Sequence, residues 1–492
     1  MNNRKMDLRL AVFYIAALFI VGCIPEDSLQ WSEDGSVGLL RIDGALYVVD
    51  GNSGELTEVE KKNVGTLPGI SDDGKLIAYC RGIKCSNASE NLKVLPAGQV
   101  KMIKYYAEQT GKNILSSGGL VDGRFPFPEE GLLLPNEYRY WSIRYLCENA
   151  DDKLLKVLGK EGIEKSKEEE LGYFQIVVAP VKEPEKKRIV ANSVFNVTVT
   201  KLSPNGKLVG YLMHTQKGEV SNAFSEFGLY VASLETDINM ALVSHPVSLG
   251  YDWRPDGRAI AYISADSEDL SYDDFIIGTL EERVVADAND NLLVKSIEPG
   301  EKGSAGMYEC TGNSSQLAGL IFNPWMKVVY GPGNRLFFTN AALTLPTSRR
   351  DEPRWSVFCY DPVTSTVTDV LGASVSSNSG EALGTSQFDL SPDGKKVLLP
   401  MEKNRFLIYR FGDGSTVCPI EESEGFGEKE VSELLPAWKG NDEISCMVSE
   451  KSHFLTRDKE EPHKRKEIVI FGSDGEFRRI LSESWKELST ND

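Results

Sequence analysis

From residue 28 onward the chain is built of short apolar runs broken by tight polar turns. One phrase recurs: an apolar strand, a turn rich in Pro, Asp, Asn and Gly, then a second apolar strand. Its clearest copies are Ser203-Pro204-Asn205-Gly206-Lys207, Arg254-Pro255-Asp256-Gly257-Arg258 and Ser391-Pro392-Asp393-Gly394-Lys395, each followed by an apolar run. Variants begin at Ser32 and Ser71, and weaker ones at Gly331 and Lys439. An Asp-Gly or Asn-Gly step between strand-like runs supplies the positive φ that a tight hairpin needs, so each phrase predicts a hairpin. A second strand pair follows, as at 228–233 with 240–243, or 356–360 with 366–370.

Four strands per repeat, recurring around a turn signal, predict propeller blades. The fold class expected is all-β, a β-propeller of about seven four-stranded blades. Two copies depart from the Asp-Gly step, which leaves six or eight open. Trp31, Trp253 and Trp438 hold the same offset before the turn, as aromatic packing between neighbouring blades would require.

The turns begin at 32, 71, 203, 254, 331, 391 and 439, and two of the intervals are too long for a bare blade. The longer one predicts a mainly helical insertion, 87–170, within blade two. Helix formers fill 99–109 and 136–159, with Asn136 placed to cap the second, and the blade's third strand resumes at 174–178. The shorter surplus, 286–317, is polar and rich in Gly and Ser and reads as a long loop. Because blades contact mainly their neighbours, the insertion is expected to be an appendage that the ring can lose.

The Ser-Pro-Asp-Gly-Lys phrases resemble the repeats of TolB-like propellers, relatives of the WD-repeat group, over most of 28–484. That resemblance implies the fold and says little about function, because the turn residues are there to bend the chain.

Ahead of the repeats, Arg4, Lys5 and Arg9 precede an uncharged stretch, 10–22. It is shorter than the roughly 20 apolar residues that a helix needs to cross a bilayer, and the order is that of an export signal. Ile20-Val21-Gly22-Cys23 resembles the lipobox of bacterial lipoproteins. The resemblance implies a signal peptide over 1–22, lipidation (palmitate) of Cys23, a tether over 23–27, the propeller over 28–484 and a tail over 485–492. It also implies a body in the periplasm or outside the cell, held to the bacterial envelope by lipid. An ordinary secretory signal containing a cysteine is the competing reading. Seven further cysteines remain, an odd number that cannot all pair within one molecule.

With 41% hydrophobic and 26% charged residues the chain reads as globular, and its formal charge of −19 argues against nucleic acid as a partner. Short basic runs, Lys186-Lys187-Arg188 and Lys464-Arg465-Lys466, sit beside acids and read as solvated loops. Prolyl-oligopeptidase-like enzymes pair a similar propeller with a hydrolase domain, but no G-x-S-x-G elbow is present, and Gly372-Ala373-Ser374-Val375-Ser376 lacks the final glycine. Oligogalacturonate lyases of this resemblance hold metal on histidines. Here His214, His245, His453 and His463 are scattered among loops and strand ends. Asp287-Ala288-Asn289-Asp290-Asn291 with Glu298 imitates a calcium loop, but Leu292 stands where that loop needs glycine. No catalytic residue, metal site or cofactor is therefore expected.

What remains is a binding surface within the insertion. Tyr105, Tyr106, Tyr138, Tyr140, Trp141 and Tyr145 lie with Arg124, Arg139 and Arg144, residue types enriched at interface hot spots. The alternative is that the aromatics pack the insertion against the ring. The expected function is a membrane-anchored scaffold that binds an envelope protein or peptide. A polysaccharide lyase or hydrolase with its site at the channel mouth is the alternative.

Overall fold

The computed structural model describes residues 28–128, 136–214, 227–243, 246–265, 277–286, 292–297, 320–321, 326–342, 354–364, 366–371, 388–401, 405–419, 429–431, 436–450 and 466–481. They form seven antiparallel sheets, each with a path of four strands, which occupy 28–60, 69–193, 197–243, 252–321, 328–369, 389–417 and 429–480. The chain is a seven-bladed propeller, and each hairpin phrase joins the first two strands of one blade.

The turn that joins those strands is a cooperative side-chain device. In blade six the Gly394 N–H donates to the Ser391 carbonyl (2.7 Å), and the Ser391 N–H donates across to Lys396 (3.0 Å). The Ser391 hydroxyl donates to the Asp393 carboxylate (2.7 Å) and accepts from the Lys396 N–H (2.9 Å). Asp393 also accepts from the Lys395 N–H (3.1 Å). Only Gly394 has positive φ (+66°), so the turn is tight at one residue rather than at the whole Asp-Gly step. Blade one repeats the arrangement. There the Ser36 N–H, with the hydroxyls of Ser32 and Ser36, holds the Asp34 carboxyl below its ordinary range.

The core lies between blades. Leu39, Leu46 and Val48 of blade one pack on Ile77, Tyr79 and Val177 of blade two. Leu398, Phe406 and Ile408 of blade six meet Trp438, Ile444 and Phe471 of blade seven. Leu29, Leu40 and Tyr47 of blade one meet Met447, Ile468 and Ile470 of blade seven, which closes the ring. The three tryptophans at equal offset each reach back to the preceding blade. Trp253 Nε1 donates to the Lys201 carbonyl (3.1 Å), Trp438 Nε1 to the Asp389 carbonyl (3.1 Å) and Trp31 Nε1 to Ser445 Oγ (2.8 Å).

Two expectations need correction. The stretch 286–317 is not wholly loop, because Leu292–Ile297 form the fourth strand of blade four, paired with Ile277–Ala286. A polar, glycine-rich context hid an edge strand whose Leu-Leu-Val run is short. The insertion contains helices α1 (Ala88–Asn91), α2 (Ala97–Ser117), α3 (Asn136–Glu148) and α4 (Asp152–Lys165), so 136–159 is two helices rather than one. Asp151 starts the second by accepting from the Leu154 N–H (2.8 Å), a local cap that competes with helix continuation.

Candidate functional site

An antiparallel meander gives the ring two unlike faces. First strands end, and second strands begin, at the Ser-x-Asp-Gly turns, which define a turn face. Second strands end, and first strands begin, on the opposite loop face. The insertion joins the second strand of blade two (Leu76–Cys85) to its third (Leu171–Pro180), so it sits on the loop face.

The inner strands line the channel with charge on blades three to six. Asp252 accepts from the Lys201 ammonium (3.0 Å) of blade three and from the Tyr330 N–H (2.9 Å) of blade five. Asp389 accepts from the Trp438 N–H (3.1 Å) of blade seven and lies 3.5 Å from Lys327, at the entry to blade five. Each aspartate thus ties three successive blades. Burial pulls the Lys327 ammonium down, and the Asp389 carboxylate opposes that. Asp72, beside the blade-two turn, is pushed up to about 6 by desolvation, then by the like charges of Asp252 and Glu33, against Lys201. Its side chain still meets water, so the crowding of carboxylates is the firmer part of the cause. Lys201, Asp252 and Asp389 occupy one offset before their turns, a signal that the sequence carried.

On the loop face the insertion is docked rather than free. Ala88, Leu92, Ile103 and Trp141 share one buried cluster with Tyr173, Phe195 and Met213 of blades two and three. Gln99 donates to Ser193 Oγ (3.1 Å) and accepts from the Val194 N–H (3.0 Å). Trp141 is enclosed, its Nε1 donating to the Gly172 carbonyl (2.9 Å). Arg144 is buried too, its guanidinium donating to the carbonyls of Ser166 (2.8 Å), Ser86 (3.2 Å) and Glu169 (3.1 Å). These two act inside the fold.

The other candidates spread over the insertion's surface. Tyr106 is buried and stacks on Phe127 (5.5 Å between centroids), Arg139 lies over the Phe127 ring (5.7 Å), and Tyr105 meets Tyr106 edge-on (5.1 Å). Tyr138 is half-buried, edge-on to Phe195 (4.9 Å), and Tyr145 lies beneath Lys104 (5.9 Å). Tyr140 and Arg124 are exposed. The structure therefore joins Tyr105, Tyr106 and Arg139 through Phe127, and leaves Tyr140 and Arg124 separate from that group. Sequence reasoning missed Phe127, although its setting in Phe125-Pro126-Phe127-Pro128 marked a rigid aromatic pair. It also missed the neighbourhood of His214, which ends the second strand of blade three with its ring 5.6 Å from Phe227. Burial pulls the His214 imidazole down while Glu137 of α3 pulls it up, which puts this residue beside the insertion.

Cys23, His245, His453, His463, Asp287–Asn291 and Glu298 lie outside the described residues. Among the described residues no group of three or more His, Cys, Asp or Glu side chains could hold a metal ion.

No family model and no curated protein sequence matches the chain. Solved structures similar to it include the β-propeller domain of the Trilobed protease from Pyrococcus furiosus (11% identity, 93% of this chain and 98% of that one, TM-score 0.45). Others are an oligogalacturonate lyase from Vibrio parahaemolyticus (9%, 80% and 77%, 0.38) and the putative TolB from Agrobacterium tumefaciens (13%, 60% and 84%, 0.33). Likenesses this distant do not bear on activity.

Proposed function

We propose that the chain is a lipid-anchored propeller of the bacterial cell envelope, tethered through Cys23, which binds a protein or peptide on its loop face. The observation that carries this reading is that the one large helical elaboration among the described residues is placed on a single face. It sets exposed Tyr140 and half-buried Tyr138 and Arg139 on α3, whose Glu137 neighbours His214 of blade three. Aromatic and arginine side chains held on a rigid element suit partner recognition. The anchor rests on the lipobox resemblance.

Two measurements test it. Cys23→Ser should abolish radioactive fatty-acid labelling, and unchanged labelling defeats the anchor. Tyr140→Ala should reduce recovery of the partner from solubilised envelopes at least tenfold, as expected of a hot spot worth about 2 kcal/mol. Undiminished recovery moves the site elsewhere. The enzyme reading has one observation in its favour: the raised Asp72 carboxyl among Asp252 and Glu33 at the channel. It requires that Asp72→Asn abolish turnover of an acidic oligosaccharide.

A further inference from the structure

The first strand of blade one, Ser28–Trp31, ends at its turn, so it begins on the loop face. That is the face carrying the insertion. If Cys23 is the lipidated residue, as the proposed function holds, five peptide steps separate the anchor from Ser28. At about 3.5 Å per step they span at most ~17 Å. A blade is deeper than that, since the seven-residue strand Leu208–His214 alone rises roughly 20 Å. A tether this short holds the loop face beside the bilayer and keeps the turn face away from it.

The insertion presents a suitable surface there. Helix α2 buries Ile103, Tyr106, Ala107, Thr110 and Ile114 against the ring and its companion helices. Its opposite stripe leaves Tyr105 (44%) and Leu115 (37%) exposed among the exposed lysines Lys101, Lys104 and Lys112, with Glu108 the one acid on this helix. Beyond the helix, Val121 (47%) stands exposed in a small turn closed by the N–H of Arg124 donating to its carbonyl (2.8 Å). Lys112 pairs with Glu108 (2.8 Å) and Lys104 lies over Tyr145 (5.9 Å), which leaves the stripe net basic in a chain of net charge −19, and a basic stripe with isolated apolar side chains is complementary to anionic headgroups.

We propose that the outer stripe of α2 is a membrane-contact surface, which rests on anionic phospholipid while the lipid at Cys23 holds the chain in place. The stripe makes the attachment two-point and so fixes which way the ring faces. Tyr105 and Leu115 enter the headgroup layer, and the three lysines pair with phosphates. The turn face with its channel mouth then points away from the membrane.

The test is lysine footprinting of the full chain on phosphatidylcholine vesicles with and without about 30% phosphatidylglycerol. Lys101, Lys104 and Lys112 should react with an amine reagent about fivefold more slowly on the anionic vesicles, while Lys75 and Lys395 of the turn face keep their rates. In the triple variant Lys101→Glu, Lys104→Glu, Lys112→Glu, Lys93 and Lys153 of the same insertion should react equally fast on both vesicles. A matching Lys→Gln variant with unchanged thermal unfolding controls for folding. Equal rates at the α2 lysines on both vesicles, or protection of Lys75 and Lys395 instead, overturns the proposal. Fatty-acid labelling of Cys23 is read in parallel. Protection without label removes the acyl anchor and keeps the stripe as a contact of its own. Label without protection removes the stripe alone.

Discussion

At the scale of single residues, Asp72 is the group whose charge state the fold most visibly alters. Its carboxyl is raised from 3.8 to about 6 by desolvation and by Asp252 and Glu33. A raised acid binds protons more tightly in the folded state than in the unfolded one. Its ionised form therefore costs stability above about pH 6, and the cost fades as pH falls from 6 toward 4. Asp72→Asn should consequently unfold at a higher temperature than the parent at pH 7.5, by a margin that narrows below about pH 6 and closes by about pH 4. A constant margin across that range would mean that the carboxyl titrates normally. Close approach rules the nearby glycines in a different way. A Cβ on Gly250 would stand 2.4 Å from Lys327 Cα, where blades four and five exchange hydrogen bonds through the Gly250 N–H and carbonyl (3.0 and 2.9 Å). No side chain fits between inner strands that near.

Among elements, hairpins were legible and helices only partly so. The Ser-x-Asp-Gly turn is local, since its bonds span at most five residues, and its copies at Ser32, Ser71 and Ser391, with the variants at Ser203, Arg254, Gly331 and Lys439, suffice to count blades. The insertion depends on tertiary packing. Tyr138, Trp141 and Tyr145 fall at i, i+3 and i+7 on α3, the spacing of a buried face, with Arg144 beside them, whereas Tyr140 falls outside it. Residue type suggested an interface for all five, and periodicity would have separated Tyr140 from the rest. The channel charges were harder, because Lys201 and Asp252 meet only when blades three and four stack. The same packing ties the insertion to the ring, since Ala88, Leu92, Ile103 and Trp141 cover Tyr173, Phe195 and Met213 in one buried cluster. Trp141→Ala should cost about 3–5 kcal/mol within the insertion and the blade edges beneath it. Limited proteolysis should then cut first within 87–170, with blade circular dichroism retained. Cleavage no faster than in the parent would mean that α3 is held by other contacts.

Across the whole molecule, blades one and seven are the only neighbours not joined by the chain. The described strands of blade one all lie within 28–60 and those of blade seven within 429–480, so no described strand is exchanged between them. Closure rests on the apolar cluster around Leu29 and Met447, the bond from Trp31 Nε1 to Ser445 Oγ, and the Lys439 ammonium 5.5 Å above the Trp31 ring. Blades three and four have the equivalent tryptophan bond, from Trp253 to Lys201, and a covalent link as well. This contrast permits a matched comparison. Trp31→Phe and Trp253→Phe each keep an aromatic ring and delete one indole N–H, at a cost of about 1 kcal/mol to global stability. Separating blades three and four still leaves them tethered, with little entropy released, whereas separating one and seven opens the ring. In mild denaturant, hydrogen exchange should therefore speed up in Ser28–Trp31 and Ala437–Lys439 for Trp31→Phe, below the threshold of global unfolding. Trp253→Phe should show no such early exchange at Asp252–Trp253. If both variants exchange only through global unfolding, the seam is as strong as the covalently linked interfaces, and the ring behaves as one cooperative unit.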